Sequence, residues 1–137
     1  MLECEAMKVL VIEPGKKPRE TFIDGSLESM QEVVGGLIEI CKPFDDDVAV
    51  VMNEEGKLLD LSPNRALFDR QGNLQDIICG TFFIAAAPPD CDTLKSLFPE
   101  EMSKYKRRFQ HPEKFYSDGL QIHVIRKTDE RKMEGVR

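Results

Sequence analysis

A chain of 137 residues that is 41% hydrophobic has room for one domain with a real core. Its formal charge is −6, and no apolar run approaches the ~18–20 residues that span a bilayer. A membrane-spanning helix is therefore excluded, and the acidic main part argues against simple phosphate-backbone binding. The acid is unevenly spread: residues 1–90 carry eight Lys/Arg against seventeen Asp/Glu, and residues 91–137 carry eleven against eight. The basic last third suits an acidic partner or the chain's own acidic face.

Taken in order, residues 7–13 are apolar and β-branched and stop at Pro14-Gly15, which predicts a buried strand. Residues 19–23 form a second strand, and the short Gly/Pro loop between them favours an antiparallel hairpin. Ser26, with Asp24 as its competitor, caps a helix whose Leu27, Met30, Val33 and Val34 share one face. Gly35-Gly36 stops it. Strands follow at 37–41 and 48–52, separated by the acidic turn Asp45-Asp46-Asp47.

After the turn Asn53-Glu54-Glu55-Gly56, where Gly56 suits a positive φ, residues 57–61 return as an edge strand. Ser62-Pro63 opens a short helical turn. Residues 76–87 form one long strand with Gly80 as a bulge or close-approach point. Pro88-Pro89 then divides the chain into a core domain, 1–87, and a basic helical extension and tail, 88–137. In the extension, Asp92 caps a short helix over 93–98, and Pro99 starts a second helix to about Phe109. Residues 120–125 alternate like a strand, and the charged residues 126–137 are expected to fray. The order β-β-α-β-β-β with one helix on a face of a mixed sheet predicts an α+β fold. Its topology resembles the β-grasp of ubiquitin-like domains.

The cysteines Cys4, Cys41, Cys79 and Cys91 form no C-x-x-C pair. They read as free thiols of a reducing, cytoplasmic protein. No metal or other cofactor is called for, and no catalytic motif is present. The two histidines, His111 and His123, have no recognisable nucleophile context. The acidic turns at 45–47 and 53–56 lack EF-hand spacing and read as solvated surface.

Several strings stand in a fixed order: Gly25-x-Leu27 to Met30-Gln31, Val34-Gly35-Gly36-x-Ile38-Glu39, Val51-x-Asn53-Glu54-Glu55-Gly56-Lys57, Leu61-x-x-Asn64-Arg65, and Asp76-x-Ile78-x-Gly80-Thr81. Together they resemble a family of domains of unknown function from phages, plasmids and conjugative elements, over residues ~7–87. The resemblance implies a small accessory protein of a mobile element, some of whose neighbours counter host defences. It supplies no activity and no catalytic residues.

Six polar residues are candidates for a ligand or partner site on one sheet edge: Gln31, Asn53, Glu54, Asn64, Arg65 and Asp76. Asn64-Arg65 suit a phosphate or carboxylate. The bland alternative has Asn64 bonding turn backbone and Arg65 pairing with Glu54, Glu55 or Asp60. Lys104, Lys106, Arg107, Arg108 and His111 form a basic surface, with Tyr105 and Phe109 at i, i+4 docking their helix on the domain. Three functions follow as expectations: a non-enzymatic protein binding a host or element-encoded protein, a binder of a nucleotide-like small molecule, and a nucleic-acid-associated protein acting through the basic helix.

Overall fold

The computed structural model describes residues 6–125. Its centre is a five-stranded sheet in the order β2-β1-β7-β4-β3. The strands are β1 (Met7–Ile12), β2 (Arg19–Ile23), β3 (Ile38–Cys41), β4 (Val48–Asn53) and β7 (Phe82–Ala86). The middle positions follow from composition. Every residue of β4 and β7 is buried, so both faces of these strands must be covered, and only interior strands meet that condition. The expected α+β class holds, but the expected mixed sheet is antiparallel at every pairing among the described residues. β7 enters between β1 and β4 and runs opposite to both.

The helix α1 (Leu27–Val34) covers one face through Val34, Met30 and Val33, against Val9, Val11, Val51 and Phe83. Its N-cap is Ser26, whose Oγ accepts from Ser29 N–H at 3.1 Å, while Asp24 receives Ser26 N–H at 2.8 Å. Both cap candidates are thus used. Gly35 ends the helix with φ 79°, in the left-handed conformation that favours glycine.

The opposite face carries the helix α2 (Pro99–Arg108) and a second hairpin, β5 (Pro63–Phe68) with β6 (Leu74–Cys79). Leu67 and Ile78 from the hairpin join Leu97, Met102, Tyr105 and Phe109 on Leu10, Ile12, Val50, Phe82 and Ile84. The segment expected as an extension beyond residue 87 therefore contributes to the same core, with Tyr105 and Phe109 docking the helix as its spacing predicts. Burying the Met102, Tyr105 and Phe109 side chains stabilises this packing by about 1.5–3 kcal/mol each. The outward face of the β5–β6 hairpin, Ala66, Ile77 and Cys79, is covered by Phe115 and Val124. These belong to a third hairpin, β8 (Lys114–Ser117) with β9 (Ile122–Ile125).

Four local expectations are corrected. Residues 57–60 are turn, not an edge strand. Leu59 N–H bonds Glu55 O and Leu61 N–H bonds Gly56 O, and Leu58, at 84% exposure, has no face to bury. Ser62-Pro63 begins β5 rather than a helix, with proline at the first strand position, where its missing N–H costs least. The run 76–87 divides at Gly80 (φ 88°) into strands of two different sheets. Residues 93–98 are extended rather than helical: Lys95 bridges Ala86, and Leu97 N–H bonds Lys8 O at 3.0 Å. β8 was not foreseen. Residues 126–137, expected to fray, lie outside the described residues.

Gly56 also departs from expectation. It does not have a positive φ. A Cβ there would stand 2.5 Å from the carbonyl oxygen of Cys79, so glycine is required by the close approach of two backbones. No helix among the described residues is long and apolar enough to cross a membrane.

Candidate anion-binding cleft

Of the six polar residues expected on one edge, Asn53, Glu54 and Asp76 line one small cavity of about 120 Å³, Gln31 stands apart from them, and Asn64 and Arg65 pair elsewhere. Asn53 is buried and donates to Val34 O at 3.1 Å, tying β4 to the end of α1. Its Oδ1 accepts from Glu55 N–H. Glu54 is exposed in the adjoining turn. Asp76 is paired with Lys57 and accepts from Ile77 N–H. Gln31 lies on α1, and its carbonyl receives the N–H groups of Gly35 and Gly36. None of these four reaches Asn64 and Arg65.

Asn64 and Arg65 form a buried network of their own. Asn64 Nδ2 donates to Ile12 O at 2.8 Å and to Gly80 O at 2.9 Å. Its Oδ1 accepts from Arg65 Nη1 at 2.9 Å, so the amide is fully used. Arg65 Nη1 also donates to Asn64 O, and Nη2 donates to Lys16 O at 2.8 Å and Phe109 O at 2.9 Å. The side chain is 1% exposed, and its Nε has no hydrogen-bond partner. Arg65 therefore joins the β1–β2 turn, β5 and the end of α2. Its expected alternative partners, Glu54, Glu55 and Asp60, are not used. Its four acceptors are uncharged, and no carboxylate lies within salt-bridge reach of it among the described residues. Burial lowers its pKa, and the charge of nearby Glu113 partly restores it.

Arg65 lies at the wall of a cleft of about 940 Å³, formed between the end of α2, β5 and the β8–β9 hairpin. Arg107, Arg108, His111 and Lys114 line it as well, and Glu113 is the one carboxylate there among the described residues. Among the described residues the lining has four Lys/Arg against one acid, the reverse of the whole chain's −6 balance. The expected basic surface is thereby sorted. Lys104 pairs with Asp46 and Lys106 with Glu20, away from the cleft. Arg108 stacks over Phe44 at 4.6 Å. Arg107 and Lys114 are exposed and have no carboxylate partner among the described residues. Glu113 is held by Ala66 N–H at 3.0 Å and 3.2 Å from its two oxygens. Burial pushes its carboxyl above the ordinary value, against the Ala66 hydrogen bond and the Arg65 charge.

A family model described as "Domain of unknown function (DUF3846)" matches residues 7–110. The chain belongs to that family. The DUF3846 match covers the five-stranded sheet, both helices and the β5–β6 hairpin. No curated protein and no solved structure matches the chain. The cleft straddles the limit of the DUF3846 match. Arg65, Arg107 and Arg108 lie inside it; His111, Glu113, Lys114 and Val124 lie beyond it. Glu113 and Lys114 escape the sequence reading because the β8 segment gives no strand pattern, and Val124, inside the strand expected over 120–125, has no feature that assigns it to a site. The signal that was available is that the basic run from Lys104 continues past His111-Pro112 to Lys114. Among the described residues no group of three or more His, Cys, Asp or Glu converges as a metal site.

Proposed function

We propose that this DUF3846 protein is a non-enzymatic binding protein that takes an anionic small molecule in the cleft beside Arg65. The observation that carries the reading is a buried guanidinium met, among the described residues, only by neutral acceptors, at the wall of a cleft whose Arg107 and Lys114 have no carboxylate partner among those residues. A buried cation without a contacting counter-charge is costly, and an anion in the cleft supplies that charge in a partly desolvated place, where attraction is strongest. The volume suits a small molecule, for which sites are ~300–1,000 Å³. Among the three expected functions this favours the small-molecule one. The polar edge on which a host-protein contact would rest is split, with Asn53, Glu54 and Asp76 together and Asn64 and Arg65 buried elsewhere, and two lysines of the basic helix are engaged in ion pairs.

The setting we infer, an accessory protein of a phage, plasmid or conjugative element working in the cytoplasm, rests on the ordered strings between residues 25 and 80. The test is a melting-temperature panel of phosphate, pyrophosphate, citrate and nucleoside triphosphates at matched ionic strength. A true ligand at a hundred times its Kd stabilises by ~2.7 kcal/mol, a shift of about 9 °C for a chain of this size. The Arg107→Ala/Lys114→Ala double variant is expected to lose most of that shift, and Lys42→Ala, on the far sheet edge, to keep it. No shift with any anion, or a shift unchanged in the double variant, refutes the reading.

A further inference from the structure

The five-stranded sheet ends in two edges, β2 and β3, and they are not alike. On β2 the charges are engaged: Arg19 pairs with Glu13, Glu20 pairs with Lys8 and Lys106, and Lys8 also stands over the Phe22 ring. Charged side chains arranged in this way blunt an edge against pairing with another chain. β3 has no such guard. It pairs with β4 in unbroken register, from Ile38 with Asn53 to Cys41 with Val50, so no bulge turns it away. Glu54 N–H donates to Leu37 O at 2.8 Å, which fixes the phase of the ladder. In an antiparallel pair, residues whose backbone groups face the partner alternate with residues whose groups face away. Leu37, Glu39 and Cys41 therefore turn their backbone groups to β4, and Ile38 and Ile40 turn theirs outward. Among the described residues no strand pairs with β3 on that outer side.

The side chains along this edge sort by face. Ile38 and Ile40 stand on the α1 face, Ile38 half-buried against the core and Ile40 49% exposed. Glu39 stands on the other face and lines the small cavity together with Glu54, Glu55 and Asp76. Asp76 is paired with Lys57. The three glutamates are exposed and make no salt bridge among the described residues. Against them stands Lys42, just past the strand.

We propose that β3 takes an extended segment of a partner protein as a sixth strand, a segment in which apolar residues alternate with lysine or arginine. The outward N–H and C=O groups of Ile38 and Ile40 supply the ladder, and alternate side chains supply the selectivity. Every second side chain of the incoming strand meets Ile38 and Ile40 and is apolar; those between face Glu39, Glu54 and Glu55 and are basic. A second copy of this chain fits worse, because β3 against β3 brings the glutamates of one copy toward those of the other. The edge is separate from the cleft, whose lining holds no residue of β3 among the described residues, so occupancy of one does not require the other.

The test is fluorescence anisotropy of the full chain with a labelled heptapeptide, Lys-Val-Arg-Val-Lys-Val-Arg, and with a counterpart carrying glutamate at every basic position. Amide exchange at Ile38 and Ile40 is measured alongside. The basic peptide is expected to bind, to weaken as salt is raised, and to slow exchange at both outward amides. The glutamate peptide is expected to bind at least about tenfold more weakly. Ile40→Pro removes one outward N–H and leaves the β4 ladder intact, since an edge strand tolerates proline on its solvent side. It is expected to bind the basic peptide about tenfold more weakly, the effect of one lost hydrogen bond with its acceptor left unpaired. Glu39→Lys/Glu54→Lys/Glu55→Lys, all at exposed positions, is expected to reverse the preference between the two peptides, and it decides the matter alone if the proline variant fails to fold. No binding of the basic peptide, equal binding of both peptides, or a preference unchanged in the charge variant overturns the proposal. A dimer in sedimentation that Ile40→Pro abolishes overturns it in favour of a second copy at this edge.

Discussion

Replacing Arg65 by methionine isolates the buried guanidinium. Methionine retains most of the length and apolar contact but donates nothing. Four acceptors lose their Arg65 donor: Lys16 O, Phe109 O, Asn64 Oδ1 and Asn64 O, now held at 2.8–3.1 Å. Leaving a buried acceptor unsatisfied costs ~1–3 kcal/mol. Lys16 sits in an exposed turn and recovers water, which brings its share to the low end. Removing the cation also relieves its desolvation, which opposes the loss and explains why some buried charges can be replaced without harm. Here the carbonyls stay behind when the charge goes, so the loss prevails. We expect Arg65→Met to be ~3 kcal/mol less stable. At ~2.1 cal/mol/K per residue, this lowers the melting temperature by about 10 °C for a chain of this length. Arg65→Lys, which has three donors, should fall between. The assay is thermal and urea unfolding of the three proteins under identical buffer. A methionine variant melting at or above the parent would refute the clamp and leave anion attraction as Arg65's sole role.

Gly56→Ala should cost about 1–3 kcal/mol, because its Cβ would meet the Cys79 carbonyl at 2.5 Å, backbone against backbone. Gly15→Ala, with φ 73° and open space around the new methyl, should cost only ~1 kcal/mol of left-handed strain. Urea unfolding that ranks the two the other way sinks the close-approach account. For Glu113, burial raises the folded carboxyl above its ordinary 4.5. The folded state therefore binds this proton more tightly than the unfolded chain, a stabilisation complete below 4.5 that is lost as pH rises through the folded value. Glu113→Gln should then gain stability relative to the parent as pH rises from 4.5 through the folded value, and a parallel pair of pH–stability curves would contradict this. Asp118 behaves oppositely. The N–H of Gln121, then His123 and the N–H of Leu120, hold its carboxyl down to about 2. The stabilisation of the β8–β9 turn by Asp118 is complete above 3.8 and is lost progressively as pH falls from there through about 2, read by amide exchange at Leu120 and Gln121. Asp118→Ala should loosen it at neutral pH.

What the sequence made legible is what local physics decides. Buried β-branched runs gave β1, β4 and β7, Ser26 and Gly35 bounded α1, and the Tyr105–Phe109 spacing gave the docked face of α2. Where the sequence misled, a tertiary partner had decided the conformation. Pro63 looks like the first residue of a helix, yet it starts a strand because β6 offers a ladder to pair with. Residues 93–98 have a capping aspartate, yet they are extended because Ala86 and Lys8 supply backbone partners. Gly80 sits in an unbroken apolar run and still separates two sheets, since the hydrophobicity of strands on either side of a turn is the same. The site was half legible for a related reason. Residue type marked Asn64, Arg65 and Arg107. Nothing in residue type says that Lys104 and Lys106 find Asp46 and Glu20 while Arg107 finds no acid among the described residues. That sorting depends on which carboxylates the fold brings within reach.

The clamp and the cleft rest on the same residue, and this bears on how a ligand would act. Arg65 ties Lys16, β5 and Phe109 together by donating to neutral oxygens, so these three segments are held by a cation whose charge is left uncompensated in contact. An anion arriving at Arg107 and Lys114 supplies the missing field without displacing any of those four hydrogen bonds. Binding is then expected to stiffen the junction of the β1–β2 turn with the end of α2, rather than rearrange it. Glu113 is the internal substitute: it lies close enough to interact with Arg65 but is held on Ala66 N–H. A ligand anion and a charged Glu113 therefore compete for one positive field, and binding an anion should favour proton uptake at Glu113. Titrations in two buffers of different ionisation enthalpy, near the acid end of the stable range, would show that uptake as a buffer-dependent binding heat that vanishes in Glu113→Gln. A heat independent of buffer in the parent protein would place the anion too far from Arg65 for the two charges to be coupled.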